Sequence, residues 1–314
     1  MINDLPKFVS NSRCLLFADD LKLFLQIGER DDCAKLQKDI EAVVDWSDAN
    51  KLQFNASKCK TVTFTRARSP VYAAYHLRDV PLERVSEISD LGLKLDVELD
   101  FRTHITQTCK AATKTLGFIM RVSAQFKNIR VAILLYNAYV RSKLEFGAIA
   151  WDPREEKYQL MVERVQRRFA RYLYKRQYGY YPLLYPSLFV SGMVGLHTLE
   201  LRRKLLLLLH YYGVINNTVN NPSVLARLGL FVPVWRPCPP GLSALPARRP
   251  ARLFAGCPAR TRRAANSPTA RALELLNVLS KFAPQIDIFA DSVGSFDKEL
   301  SVFLSRYLTK KCVT

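Results

Sequence analysis

An α+β fold is predicted for this 314-residue chain from three features. The first hundred residues alternate short β-like apolar runs with one helical stretch. Residues from about 103 to 220 place apolar side chains at steps of three and four, the spacing of one helix face. Hydrophobic residues make up 49% and charged residues 24%, a globular balance that excludes a mostly disordered chain. The length is ample for a core and suggests about two domains.

The elements follow in order. Cys14 to Ile27 holds two apolar runs around Asp19-Asp20. Asp is a turn former, so two strands joined by a tight turn are expected. From Asp31 to Asn50, Leu36, Ile40, Val43, Val44 and Trp46 mark a helix. Asp31 or Asp32 is suited to cap its start, and Asn50 is expected in the left-handed conformation at its end. Lys60–Thr65, Val71–Leu77, Pro81–Val85 and Leu91–Leu95 read as short strands, the middle two joined around Arg78-Asp79. Three helices then carry Ile105, Cys109, Ala112, Leu116 and Ile119; Ile129, Ala132, Tyr136 and Val140; and Met161, Val162, Val165, Phe169 and Leu173. Short links near 126 and 150 imply antiparallel neighbours. A last helical piece is expected over about Pro268–Phe282.

Residues 231 to 271 differ from the rest. They hold eight Arg, eight Pro and no acidic residue. Arg236, Arg248, Arg249, Arg252, Arg260, Arg262, Arg263 and Arg271 repel one another, which predicts an extended basic linker.

Lys and Arg number 47 against 28 Asp and Glu, a net charge of +19. Such an excess favours a polyanionic partner, nucleic acid first, with an acidic membrane surface as competitor and plain solubility as the bland alternative. Met1 to Cys14 lacks the long apolar run of a signal peptide, and Leu205–Leu209 is far short of a membrane span. No membrane partner is expected. The seven cysteines are scattered, without C-x-x-C or zinc spacing, so no zinc and reduced intracellular thiols are expected, in nucleus or cytoplasm.

Asp19-Asp20 is the sharpest chemical feature. Two carboxylates on a strand turn can hold divalent ions, and paired ions can activate an attacking oxygen and neutralise a leaving phosphate. A simple hairpin turn is the plain alternative.

Six segments in order give a resemblance. Phe17-Ala-Asp-Asp20 is similar to the F/Y-A-D-D box of reverse transcriptases. Trp46 to Phe64, with Asn55, Lys58 and Lys60, resembles the W…N-G-L…N-x-x-K-C/T-K…F segment of the jockey-type branch of non-LTR retrotransposons. Leu91-Gly92-Leu93-Lys94-Leu95-Asp96 with Phe101…His104-Ile105 resembles its L-G-V-x-L-D…F-x-x-H-I. Leu135-Tyr136…Leu144-Glu145-Phe146-Gly147…Trp151-Asp152-Pro153, Glu163-Arg164-Val165-Gln166-Arg167-Arg168-Phe169 and Gly195-Leu196…Arg202-Arg203 resemble later segments. The resemblance covers about residues 10 to 300.

It implies RNA-directed DNA polymerisation with Mg2+ as cofactor and an RNA template and DNA primer duplex as partner. The implied organisation is a truncated reverse-transcriptase palm sheet over 1–100, a helical thumb over 101–180, a helical extension over 181–230, the linker over 231–270 and a C-terminal helical segment over 271–314. Asp19 and Asp20 match the catalytic, metal-binding pair. Lys58 or Lys60 falls near a lysine that assists the leaving pyrophosphate, with a solvated turn lysine as the alternative. Leu91-Gly92 matches a primer-gripping hairpin. Arg164, Arg167, Arg168, Arg171, Lys175 and Arg176 of the thumb would contact phosphates, or form a solvated helix face.

Several positions depart from the family. Lys51 stands where it usually has Gly, and Ser142-Lys143 where it usually has Pro. Only sixteen residues precede Phe17, where the family has fingers and most of the palm, including a third metal-binding Asp. Two expectations follow: the chain alone does not polymerise, and its Asp-Asp hairpin leaves an apolar sheet edge open. A non-catalytic basic protein that binds RNA or DNA is the alternative function.

Overall fold

A computed structural model of the chain describes residues 2–65, 67–231, 252–256, 261, 264–289 and 292–311. It is 55% helical and 10% strand, an α+β protein. The chain divides into two compact units, Met1–His104 and Ile105–Thr314.

In the first unit, β1 (Arg13–Phe17) and β2 (Asp20–Phe24) form an antiparallel hairpin, with Cys14 opposite Leu23 and Phe17 opposite Asp20. Strand side chains alternate between faces. Cys14, Leu21 and Leu23 therefore turn inward, onto Leu5, Val43 and Trp46. The opposite face leaves Leu15, Phe17 and Phe24 exposed, Phe17 by 63%.

The helix α1 (Arg30–Ala49) supplies the other side of this small core. Its start is capped by Glu29, and Asp32 sits three positions on and closes a capping box, rather than acting as the cap itself. The Asp32 carboxylate accepts hydrogen bonds from Lys35 and from the Gly28 and Glu29 amides, which hold its pKa at about 2. At the other end the expectation for Asn50 is corrected. Asn50 has φ −92°, and its side chain bonds the Trp46 carbonyl at 2.9 Å. The left-handed residue is Lys51, at φ 56°.

Asp39 of α1 is 2% exposed and anchors the chain that leads into β1. Its carboxylate accepts from the amides of Ser10, Asn11 and Ser12 and from the Asn11 side chain, at 2.6 to 3.3 Å. Burial alone would raise its pKa; these donors outweigh it and hold the group below the ordinary carboxylate range.

The remaining strands are shorter than the sequence suggests. They are β3 (Lys60–Thr61), β4 (His76–Leu77), β5 (Val80–Pro81), β6 (Glu83–Arg84), β7 (Glu87–Asp90) and β8 (Leu93–Asp96). They pair as β3 with β6, β4 with β5 and β7 with β8. With β1–β2 this makes four two-stranded sheets among the described residues, where one palm-like sheet was expected. The positive φ values of Arg78 and of Leu91-Gly92 reverse the chain within two residues, so each run folds on its neighbour instead of extending. Leu91–Leu95 is thus a hairpin turn and its second strand. Lys22 forms an ion pair with Asp90.

The second unit is helical: α2 (Arg102–Ser123, whose first turn precedes the division), α3 (Ile129–Tyr136), α4 (Ser142–Glu145), α5 (Ala148–Trp151), α6 (Glu156–Tyr178), α7 (Ser187–Met193), α8 (Leu199–Ile215), α9 (Pro222–Leu225), α10 (Pro268–Phe282) and α11 (Val293–Lys311). A π-helical turn, Asn137–Arg141, joins α3 to α4. The Tyr136 ring stacks on Phe169 with centroids 4.1 Å apart, and its hydroxyl donates to Gln166. A second core gathers Leu208 and Tyr212 of α8, Leu276 of α10, and Phe296, Leu300 and Leu304 of α11.

The expected linker is described only in part, at residues 231, 252–256, 261 and 264–270. Phe254 is 1% exposed within that second core, and backbone hydrogen bonds tie 229–231 to 253–255. Arg271 lies inside α10 and is ion-paired. Arg236, Arg248, Arg249, Arg260, Arg262 and Arg263 lie outside the described residues.

Candidate nucleic-acid interface and the Asp-Asp turn

Asp19 and Asp20 lie at the tip of the β1–β2 hairpin, and both are exposed. The turn has Ala18 at φ 52°, a region that costs a residue with a Cβ about 1–2 kcal/mol. Neither carboxylate makes a side-chain hydrogen bond or ion pair among the described residues. No third His, Cys, Asp or Glu among them joins the pair in a group able to hold a metal. Mg2+ takes near-octahedral oxygen ligation, completed in two-ion sites by substrate phosphates and water, so Asp19 and Asp20 can supply only part of such a ligand set. Lys58 ends a single 3-10 turn, Ala56–Lys58, and is exposed. No hydrogen bond or ion pair among the described residues joins it to Asp19 or Asp20. Lys60 is engaged elsewhere, paired with Glu83 at 2.6 Å.

The six cations expected to contact phosphates all lie on or at the end of α6, and they fall into two groups. Arg164, Arg168 and Lys175 are exposed. At 100° per residue they point within about 40° of one another. Lys157, not singled out from the sequence, lies seven residues before Arg164 on the same face and is exposed. The four span about 27 Å of helix at 1.5 Å per residue. The signal for Lys157 was that spacing.

Arg171 and Arg176 are less exposed and carry packing contacts. Arg171 donates to the carbonyls of Pro182 and Tyr185, the latter at 3.2 Å, and lies over the Tyr181 ring. Arg176 donates to the carbonyls of Ser123 and Phe126 and packs over Tyr172. Two carbonyls take two of the five N–H donors of a guanidinium and fix its orientation. Arg167 is half-buried.

The acidic residues of the later segments are also committed. Glu145 accepts from Arg202, with Nη2 at 2.9 Å. Asp152 accepts from Arg203 Nε and Arg271 Nη1, each at 2.6 Å. The Arg203 side chain is 1% exposed, and its two Nη atoms find no hydrogen-bond partner among the described residues; its Nε pairs with Asp152, and Glu163 adds a nearby negative charge. Glu163 accepts the Glu200 amide at 2.8 Å, at the start of α8; burial raises its pKa. Gln166 donates to the His197 carbonyl at 2.8 Å. The segments around 145, 152, 163 and 202 therefore interlock one helical framework. Their acids face inward, which leaves the cations of α6 to face water.

The charge is unevenly placed. Residues 1–104 hold 15 Lys and Arg against 17 Asp and Glu, and residues 105–314 hold 32 against 11. The whole excess belongs to the second unit.

No protein-family model matches the chain. An uncharacterized protein of Caenorhabditis elegans is 25% identical over 91 residues, which are 29% of this chain and 46% of that protein. The chain thus matches under half the length of this relative. No solved structure matches. Among the described residues no helix is long and apolar enough to cross a membrane.

Proposed function

We propose that the chain is the palm-end and thumb portion of a non-LTR retrotransposon reverse transcriptase, and that on its own it binds an RNA–DNA duplex without extending it. The observation that carries the binding half is the row Lys157, Arg164, Arg168 and Lys175 along one face of α6. From Arg164 to Leu199 the sequence has six Lys and Arg and no acidic residue. A face of this kind displaces counterions from a phosphate backbone, so affinity comes from charge and falls with salt. The polymerase half rests on the order of the resembling segments, with Phe17-Ala-Asp-Asp20 at a hairpin tip. The inactive reading rests on the resemblance, which implies a third metal-binding Asp beside Asp19 and Asp20. Two-ion transfer needs both ions and the triphosphate positioned together.

The test has two arms on the purified chain. Primer extension with Mg2+ on an RNA–DNA duplex should give no product above background; extension that disappears in Asp19→Ala would refute the inactive reading. Duplex binding by fluorescence anisotropy should weaken steeply as salt rises. It should survive Asp19→Ala and Asp20→Ala and drop more than about tenfold when Arg164, Arg168 and Lys175 are all changed to Glu. Binding that ignores salt, or that keeps its strength in the triple variant, would sink the α6 interface.

A further inference from the structure

Beyond the exposed face of α6 the chain presents an unusual aromatic surface. Six of its fourteen tyrosines fall between residues 172 and 185. Gly179, at φ 82°, ends α6 and turns the chain into a loop that carries Tyr180, Tyr181 and Tyr185. Tyr174 is buried and serves as a floor: the rings of Tyr178, Tyr180 and Tyr185 lie 4.5, 5.5 and 6.0 Å from it. The Tyr174 and Tyr180 hydroxyls share a 2.7 Å hydrogen bond. The outer rings stay open to solvent, with Tyr180 and Tyr181 about half exposed. Phe189 extends the row, 5.5 Å from Tyr185.

The loop is held in place. Arg171 reaches from α6 to the Pro182 and Tyr185 carbonyls, on either side of Leu183 and Leu184, the most exposed residues of the loop. The rings therefore stand on a braced loop, and a ligand would not have to order it. Lys175 and Arg168 lie on the adjoining helix, with no carboxylate in the sequence until Glu200.

We propose that this loop is a stacking platform for an unpaired nucleic-acid strand, RNA or DNA. Flat rings with a polar edge suit nucleobases, which stack on aromatic side chains irrespective of sequence, while neighbouring cations follow the phosphates. The cation-rich, acid-free surroundings favour a polyanion over an apolar protein surface, and the packed rings favour nucleobases over an acidic membrane surface, which exposed Leu183 and Leu184 would otherwise suit. The site differs from the α6 face in what it reads, since paired bases present no free ring. The proposal rests on the nucleic-acid reading above.

The experiment uses the full chain and three labelled probes: a 20-nucleotide oligo-dT, a 20-nucleotide oligo-rU and a 20-base-pair RNA–DNA duplex. One variant carries Tyr181→Leu and Tyr185→Leu, which keeps apolar bulk and removes the flat rings. A second carries Tyr181→Phe and Tyr185→Phe, which keeps the rings. Thermal melts check that both fold as the parent does. The Leu variant should lose about tenfold or more in affinity for both single strands and stay within about twofold on the duplex; the Phe variant should stay within about threefold on all probes. Equal single-strand binding by parent and Leu variant would overturn the platform. So would a Phe variant as weak as the Leu variant, because the hydroxyls and not the rings would then matter. Duplex binding without single-strand binding overturns the platform and leaves the α6 interface standing; binding of neither defeats both. Capture on phosphatidylserine vesicles that persists in the Leu variant, with no single-strand binding by the parent, would replace the platform with a membrane-facing surface.

Discussion

The two units answer to different physics. The first is near neutral, is built from paired strands no longer than five residues, and buries its apolar side chains in two small clusters, around Trp46 and around Tyr75. One face of its hairpin shows Leu15 and Phe17 to water. The second carries all the excess charge and closes on continuous helical cores with buried ion pairs. The residues that resemble a catalytic box therefore sit in the less self-sufficient part. The residues suited to binding sit in the part that holds itself together. A motif and the framework that supports it need not share a unit.

The contrast can be broken at its strongest point first. Asp152→Ala leaves Arg203 buried without its hydrogen-bonded counter-charge. It should cost the second unit about 3–5 kcal/mol, read as a lower urea midpoint and faster amide exchange in α8 and α10. A loss under about 1 kcal/mol would show that the ion pairs are incidental and that apolar packing alone sustains this unit.

The first unit has one comparable anchor, Asp39. Asp39→Ala strands the amides of residues 10 to 12 and should cost about 2–3 kcal/mol, seen as earlier exchange of the β1 amides with α10 and α11 unchanged. The sign of its pH dependence follows from its depressed pKa. Its contribution is present above the unfolded value near 4 and is lost as pH falls through the lower folded value. An acid titration followed by circular dichroism should be less steep in Asp39→Asn. Identical titrations would remove Asp39 as the source.

The smallest effect concerns the left-handed residue after α1. Lys51→Gly relieves the Cβ at φ 56° and loses some of that gain to a freer unfolded chain. The net result should be a stabilisation of a few tenths to about 1 kcal/mol, measured by thermal melting. A destabilised variant would mean that the Lys51 side chain holds something the backbone strain does not reveal.

Much of this was legible from local pattern. The start of α10 at Pro268, the turn around Arg78-Asp79 and the hairpin around Asp19-Asp20 were all readable. Each is written by neighbours a few residues apart: a capping Ser267, a pair of turn residues, carboxylates between apolar runs. Strand lengths exceed the structure's because alternation over Lys60–Thr65 looks the same whether or not a partner strand exists, and only Lys60–Thr61 is paired. The helix α11 was not separated from the general helical tail.

Periodicity and composition are local or additive, so the α+β class, the run of amphipathic helices and the surplus of positive charge are all readable along the chain. Which cations stay exposed depends instead on packing. Arg168 and Arg171 are three residues apart on one helix and look alike in the sequence. One faces water, and the other is bound to carbonyls eleven and fourteen residues away. Arg203 is buried because Asp152, fifty-one residues earlier, meets it there. Partners at such distances are chosen by how helices pack, and no spacing rule along the chain records that choice.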